Sequence, residues 1–151
     1  PTIDMKKLIA CLTLVSWAFV QAQSAESDWL TDLPKAQTKA KEEKKLVLMD
    51  FTGSDWCPPC KALHKNVLTT SEFNDYAKAH LVLVELDFPN SKPQSAELKK
   101  KNEALKNKFK IEGFPTVILL DSEGKELGRS VGYSGENTKA FLAKLDGFKK
   151  H

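Results

Sequence analysis

The chain has 151 residues, with 23 lysines and arginines against 20 aspartates and glutamates and a formal charge of +3. Its 41% hydrophobic and 28% charged content excludes a polytopic membrane protein, a collagen-like repeat and a mainly disordered chain. The weak basic excess lacks the stripe of a nucleic-acid binder, and three cysteines are too few for a disulfide-stapled scaffold, so a single packed core must hold the fold.

The first residues read as an export leader. Met5-Lys6-Lys7 is positive, Leu8 to Val20 is uncharged, and Val20-Gln21-Ala22 has the short side chains of a signal-peptidase site. The apolar run is 13 residues, whereas a spanning helix needs about 20, so a retained membrane anchor is the lesser alternative. Cleavage is expected after Ala22, with Ala25 as the alternative, and Pro1 to Asp4 precede the expected initiator Met5. Loss of residues 1–22 removes Cys11 and leaves Cys57 and Cys60. One close cysteine pair in an exported chain, periplasmic or secreted, points to redox chemistry.

Gln23 to Asp28 is polar, and residues 23–29 are predicted to be a flexible lead-in; residues 30–148 form the domain. Asp32 caps a helix with Pro34 in its first turn, running to about Glu43 with Leu33, Ala36 and Ala40 inward. Leu46-Val47-Leu48-Met49-Asp50-Phe51 is continuous and apolar except for its carboxylate, as a central buried strand is. A helix follows from Cys57 or Pro58 to Leu68, then a short one capped by Ser71, then the core strand Leu81 to Asp87. Phe88 to Ser95, with Pro89 and Pro93, is a loop. Ala96 to Phe109 is helical with Leu98, Leu105 and Phe109 inward. Thr116 to Leu120 is a third strand, turned at Asp121-Ser122-Glu123-Gly124 into the antiparallel strand Lys125 to Val131. Glu136 to Phe148 closes the chain as a helix. The first two strands are joined through helices and so pair in parallel. The whole is an α/β fold with a mixed sheet and helices on both faces.

The chemical centre is Trp56-Cys57-Pro58-Pro59-Cys60-Lys61. Two cysteines across a helix's first turn can close a disulfide with little strain. Cys57 sits at the positive helix end beside unpaired N–H groups, which favours the thiolate, the attacking species. Its pKa is expected at about 5–7, against roughly 8.5 for a free thiol. Cys57 is expected to be the exposed thiol and Cys60, a turn further in, the protected one, placed to resolve the mixed disulfide that Cys57 forms. Zinc needs two more ligands, and His64, His80 and His151 have no such spacing; c-type haem needs a histidine where Lys61 stands. No metal or cofactor is expected. His64 reads as a surface residue rather than a tuner of the thiols.

The strings LVLMDFTGSDWCPPCKAL, VLVELD and IEGFPTVILLDSEGKELGRSVGY resemble the thioredoxin superfamily across about Leu30 to Leu145. The resemblance implies a thioredoxin-like three-layer α/β/α sandwich and a redox-active Cys57–Cys60 disulfide. It implies a cis peptide before Pro115, with Phe114 presenting backbone to substrate. It makes Asp50 the proton acceptor for Cys60, and Trp56 a shield and contact surface. Two features depart from plain thioredoxin: one extra residue between Asp50 and Cys57, where Gly53 lies, and about a dozen between Asp87 and Pro115. Extended forms of this kind are similar to secreted bacterial thioredoxin-like proteins and to membrane-linked TlpA-like and DsbD-like domains. The extra loop either covers the sheet or joins a substrate face.

The expected activity is thiol–disulfide exchange with protein thiols and disulfides by a monomer, with a membrane-linked electron donor or acceptor as a candidate partner and no nucleic acid. Reductase, oxidase and isomerase share these residues. The alternative is a thioredoxin-like binding or chaperone module in which redox activity is secondary. Protein isolated from its native host is predicted to begin near Gln23 or Glu26 and to lie outside the cytoplasm, as N-terminal sequencing of fractionated cells would read. A cytosolic chain still starting at Met5 would refute the leader.

Overall fold

A computed structural model describes residues 28–150. The expected leader over 1–22, and residues 23–27 of the expected lead-in, lie outside the described residues.

Strand β2 (Leu46–Thr52) is the axis, with six of its seven residues buried. It pairs in parallel with β3 (Leu81–Asp87) and antiparallel with β4 (Thr116–Leu120). The turn after β4 leads into antiparallel β5 (Glu126–Val131), and β1 (Trp29–Leu30) joins β3 in parallel at the other edge. The order β1-β3-β2-β4-β5 makes the expected mixed sheet. Trp29 is therefore not part of a flexible lead-in: it sits opposite Leu83 in the sheet and stacks on Phe73 with ring centroids 6.5 Å apart. A two-residue strand is too short to show alternation in sequence.

Successive strand residues point to opposite faces. Val47, Met49 and Phe51 join a core with Leu33, Ala36 and Ala40 of α1 (Leu33–Glu43). Leu48 faces the other way, into a core with Leu63 of α2 (Pro58–Leu63), Phe73 of α3 (Ser71–His80) and Phe141 of α5 (Thr138–Phe148). Two residues beyond Leu48, Asp50 thus points toward α2.

Helix starts follow local chemistry. The Asp32 carboxylate accepts from Lys35 N–H at 3.0 Å, as predicted. The cap of α3 is Thr70 rather than Ser71: its hydroxyl donates to the Val67 carbonyl (2.7 Å) and accepts from Phe73 N–H (3.3 Å). Asn137 caps α5 by accepting from Ala140 N–H, so that helix begins at Thr138, two residues later than read from sequence. The predicted helix to Leu68 holds regular α geometry only to Leu63 and continues as a π turn over His64–Leu68. The N–H of Thr69 reaches back five residues to the His64 carbonyl at 3.1 Å, and the Thr69 hydroxyl donates to the same oxygen.

Helix α4 (Ala96–Lys108) differs most from expectation. Leu98, Leu105 and Phe109 are only half-buried, and the one fully buried residue of the helix is Asn102. Its amide donates to the Asp87 carbonyl at 3.0 Å, an oxygen that Gln94 also reaches at 3.0 Å. The helix covers the end of β3, where main-chain oxygen rather than side chain must be satisfied, so a polar residue occupies its most buried position.

Candidate active site

Strand β2 runs out at Thr52, and a short loop hands the chain to α2 with Cys57 as its cap residue. Pro58 and Pro59 occupy the first turn, where a missing N–H costs no helical bond. Cys57 and Cys60 are joined in a disulfide with Cα atoms 5.3 Å apart. The Cys60 N–H points at the Cys57 sulfur (3.4 Å), and the Gly53 N–H points at the Cys60 sulfur (3.5 Å).

The sequence expectation that Cys57 is exposed and Cys60 protected is corrected: each is 3% exposed. The bond between the sulfurs draws them together into one buried unit. What distinguishes them is position, with Cys57 at the helix start and Cys60 facing the sheet.

Beneath Cys60 lies a cleft of about 280 Å³ whose walls include Asp50, Cys60, Glu85, His64 and Lys61. The extra residue between Asp50 and Cys57 therefore does not part Asp50 from Cys60. Asp50 is 5% exposed, and its Oδ1 has no hydrogen-bond partner among the described residues. Burial pushes its pKa up to about 8, with the charges of Glu85 and Asp87 adding to the rise. Glu85 lies directly across from Asp50 in the parallel register, and Asp87 across from Thr52. The carboxyl of Glu85 is itself raised by burial and by Asp87, with Lys92 and His64 opposing. Glu85 was visible as an acid inside an apolar run, but its place beside Asp50 depends on a strand register that sequence does not reveal.

The Phe114–Pro115 peptide is cis, and Pro115 is buried at the entry to β4, its carbonyl accepting from Gly132 N–H at 2.8 Å. Among the described residues, Phe114 makes no main-chain hydrogen bond to another main-chain group. Its ring meets Trp56 edge-on at 5.9 Å. Trp56, at 42%, and Val131, at 67%, are the exposed large apolar residues among those described, and both flank this turn: Val131 lies opposite Thr116. Val131 was not singled out in the sequence, since it reads there only as a strand end.

The two departures from plain thioredoxin meet here. The Asp55 carboxylate accepts from the N–H groups of Asn90 (2.9 Å), Ser91 (2.6 Å) and Lys92 (3.0 Å). Those bonds, Asn90 and Ser91 foremost, hold its pKa down to about 2. Ser54 N–H donates to Asp87 at 3.0 Å, and Trp56 Nε1 donates to the Phe88 carbonyl at 2.8 Å. Gly53 leaves room for this: a Cβ there would lie 2.5 Å from Trp56 Cε2.

A sheet with a Cys-x-x-Cys disulfide at a helix start, a cis proline opening the facing strand and helices on both sides defines the thioredoxin fold. The family profile described as thioredoxin-like domain matches residues 33–149, and the chain belongs to that family. It is 38% identical over 111 residues to the disulfide bond reductase DsbH of Chlamydia pneumoniae, covering 74% of this chain and 66% of that protein. It is also 38% identical over 143 residues to the thioredoxin-related protein DsbJ of the same organism, covering 92% of this chain and 41% of that protein. A solved structure of DsbH oxidoreductase matches with a TM-score of 0.74 at 35% identity, over 82% of this chain and 85% of that one. The chain thus spans just under two thirds of the first relative's length and under half of the second's.

Two predictions follow from the buried packing. Gly53→Ala is expected to push the indole off the loop, break its bond to Phe88 and cost about 1–3 kcal/mol, read by the indole N–H resonance and by urea unfolding. An unshifted resonance would refute the close packing. Asp50 keeps its proton up to about pH 8 when folded, but ionises near pH 4 when unfolded. Between those values the folded state binds the extra proton, so this group makes stability fall as pH rises. Asp50→Asn is expected to flatten that fall, by an amount on the order of a few kcal/mol at pH 8 relative to pH 4, in paired urea titrations. Parallel wild-type and variant curves would show the carboxyl ionised in the fold.

Proposed function

We propose that this protein is an exported thiol–disulfide oxidoreductase that reduces disulfides of protein substrates. The observation that carries the reading is the Cys57–Cys60 disulfide lying over a cleft that also holds the buried, proton-bearing Asp50. The reductive direction is favoured by the 38% identity to a protein named as a disulfide bond reductase.

In the reduced protein the Cys57 thiolate attacks a substrate sulfur; the substrate S–S bond breaks and its other sulfur leaves as a thiolate. Asp50 bears a proton in the disulfide form and is left as a carboxylate when the return half takes it; in the reduced protein it accepts the Cys60 proton as Cys60 attacks Cys57, forming the intramolecular disulfide and releasing the second substrate thiolate. Burial stabilises the neutral Asp50 that this step leaves behind. In the return half, one donor thiolate attacks Cys57 and Asp50 hands the proton back to the departing Cys60; a second donor thiolate then attacks the first donor sulfur, which closes the donor's disulfide and releases the Cys57 thiolate. Two electrons pass to the substrate in one half and come from an external thiol donor in the other, with a membrane-linked donor as the candidate. Trp56, Phe114 and Pro115 form the rim over which substrate docks, with the free main chain of Phe114 offered to an extended segment.

The assignment of roles is tested by trapping. A reduced Cys60→Ser variant is expected to accumulate a mixed disulfide with a protein substrate through Cys57, because nothing remains to resolve it; Cys57→Ser is expected to trap little and turn over nothing. Non-reducing gels with mass spectrometry of the linked peptides decide. Trapping through Cys60, or turnover without Cys57, would reverse the roles. Retained substrate binding with no exchange in the wild type would favour a binding module instead.

A further inference from the structure

Beside Trp56, a groove of about 430 Å³ runs between the Phe88–Gln94 loop and α4. Its inner end is aromatic, built of Trp56, Phe88 and Phe114; the rings of Phe88 and Phe114 lie 5.1 Å apart. Its outer wall is the face of α4 that carries Lys99, Glu103 and Lys106, at the four- and three-residue spacing that keeps side chains on one side of a helix. Lys92 lies on the loop side.

We propose that this groove binds the polypeptide flank of the disulfide-bearing substrate, taking an apolar residue beside the reacting cysteine and acidic residues beyond it. The proposal rests on the oxidoreductase reading above. Three features carry it. First, the groove borders the reactive centre: its lining includes Trp56 and Phe114, whose rings meet 5.9 Å apart and which are the sequence neighbours of Cys57 and Pro115. Second, its charge is unbalanced: three lysines face one glutamate. Lys106 pairs with Glu103 at 3.7 Å and lies over the Phe88 ring at 5.6 Å. Lys92 and Lys99 have no carboxylate within 4 Å among the described residues; Lys92 rests on the Ser54 hydroxyl at 2.8 Å. Third, the loop side is held in place. Asp55 fixes three successive loop N–H groups, and the Trp56 indole fixes Phe88, so the wall is formed before any partner arrives. The segment between Asp87 and Pro115 is thereby both cover and recognition surface.

The test uses two synthetic peptides, each with one cysteine in mixed disulfide with glutathione. One continues Phe-Glu-Glu and the other Phe-Lys-Lys. The dithiothreitol-reduced protein reduces each, and each kcat/KM is divided by the same protein's value for bis(2-hydroxyethyl) disulfide, which is too small to reach the groove. The wild type is expected to favour the acidic peptide by about three- to tenfold at low salt, the scale of one or two exposed ion pairs. That preference is expected to shrink as salt rises. In Lys99→Glu/Lys106→Glu it is expected to vanish or invert, and in Lys99→Gln/Lys106→Gln to fall to near unity. Division by the small-disulfide rate removes any general damage to the fold. Absence of a wild-type preference, or a preference that survives both double variants, would overturn the groove. Failure of the wild type to reduce even the small disulfide would remove the oxidoreductase reading and the groove's role with it.

Discussion

A carboxyl group placed in the middle of a sheet is the constraint on which the rest depends. Asp50 sits on the central strand with Val117 on one side and Glu85 on the other. Burying an isolated ionised carboxylate costs several kcal/mol, more than most single packing interactions return. The fold avoids that cost by keeping the group protonated, and Glu85 and Asp87 reinforce it by making a second negative charge unwelcome. The consequence is a protonated carboxyl on the wall of the cleft that Cys60 also lines. The short loop from Thr52 to Cys57 then returns the chain over β2, and Leu63 and Val67 anchor the helical segment that carries Cys60 in the core.

The two lengthened segments are a single device. One extra residue before the cysteines gives Ser54 and Asp55 the reach to grip the loop after β3, and Gly53 the room to seat the indole. Each would be a liability alone. A longer loop ahead of α2 would loosen the cysteines, and an ungripped stretch with Pro89 and Pro93 would leave its N–H groups to water. Together, three loop N–H groups find one carboxylate, and the end of β3 is closed by Asn102 and Gln94 on a single carbonyl. The grip consists of charge-assisted bonds to main chain rather than of apolar packing, in keeping with an α4 that offers the core only half-buried side chains.

Most of this architecture was legible in the sequence wherever local chemistry decides it. The apolar run through Asp50 announces a buried strand, Asp32 and Pro34 a helix start, and the turn at Asp121 to Gly124 a hairpin. The cis proline followed from resemblance. What was not legible depends on partners distant in sequence. Trp29 joins the sheet only because β3 has a free edge. Glu85 reaches Asp50 only through the register, and Asp55 is an ordinary exposed acid until the loop 35 residues later folds over it. The equal burial of Cys57 and Cys60 was not legible for a different reason: an exposed attacking thiol and a protected resolving thiol belong to the reduced pair, whereas a closed disulfide joins the two residues into one body.

That equal burial has a consequence for selectivity. On the proposed function, a partner sulfur reaches the buried disulfide beside the turn that Trp56, Phe114 and Val131 flank, the first and last of which are the exposed large apolar side chains among the described residues. A small disulfide meets only that turn. A polypeptide must also lay down the chain on either side of its cysteine, and the turn has two sides of unlike character. Toward β5 lies Val131, apolar and uncharged; toward α4 lie aromatic rings giving way to lysines. On the proposed function the thiol chemistry is the same for every disulfide, so discrimination between protein substrates would come from these flanking surfaces. On the β5 side the nearby charges are paired, Lys144 with Glu136 and Arg129 with Glu126, whereas on the α4 side Lys92 and Lys99 have no carboxylate within 4 Å among the described residues; that side therefore has charge to complement one partner and repel another.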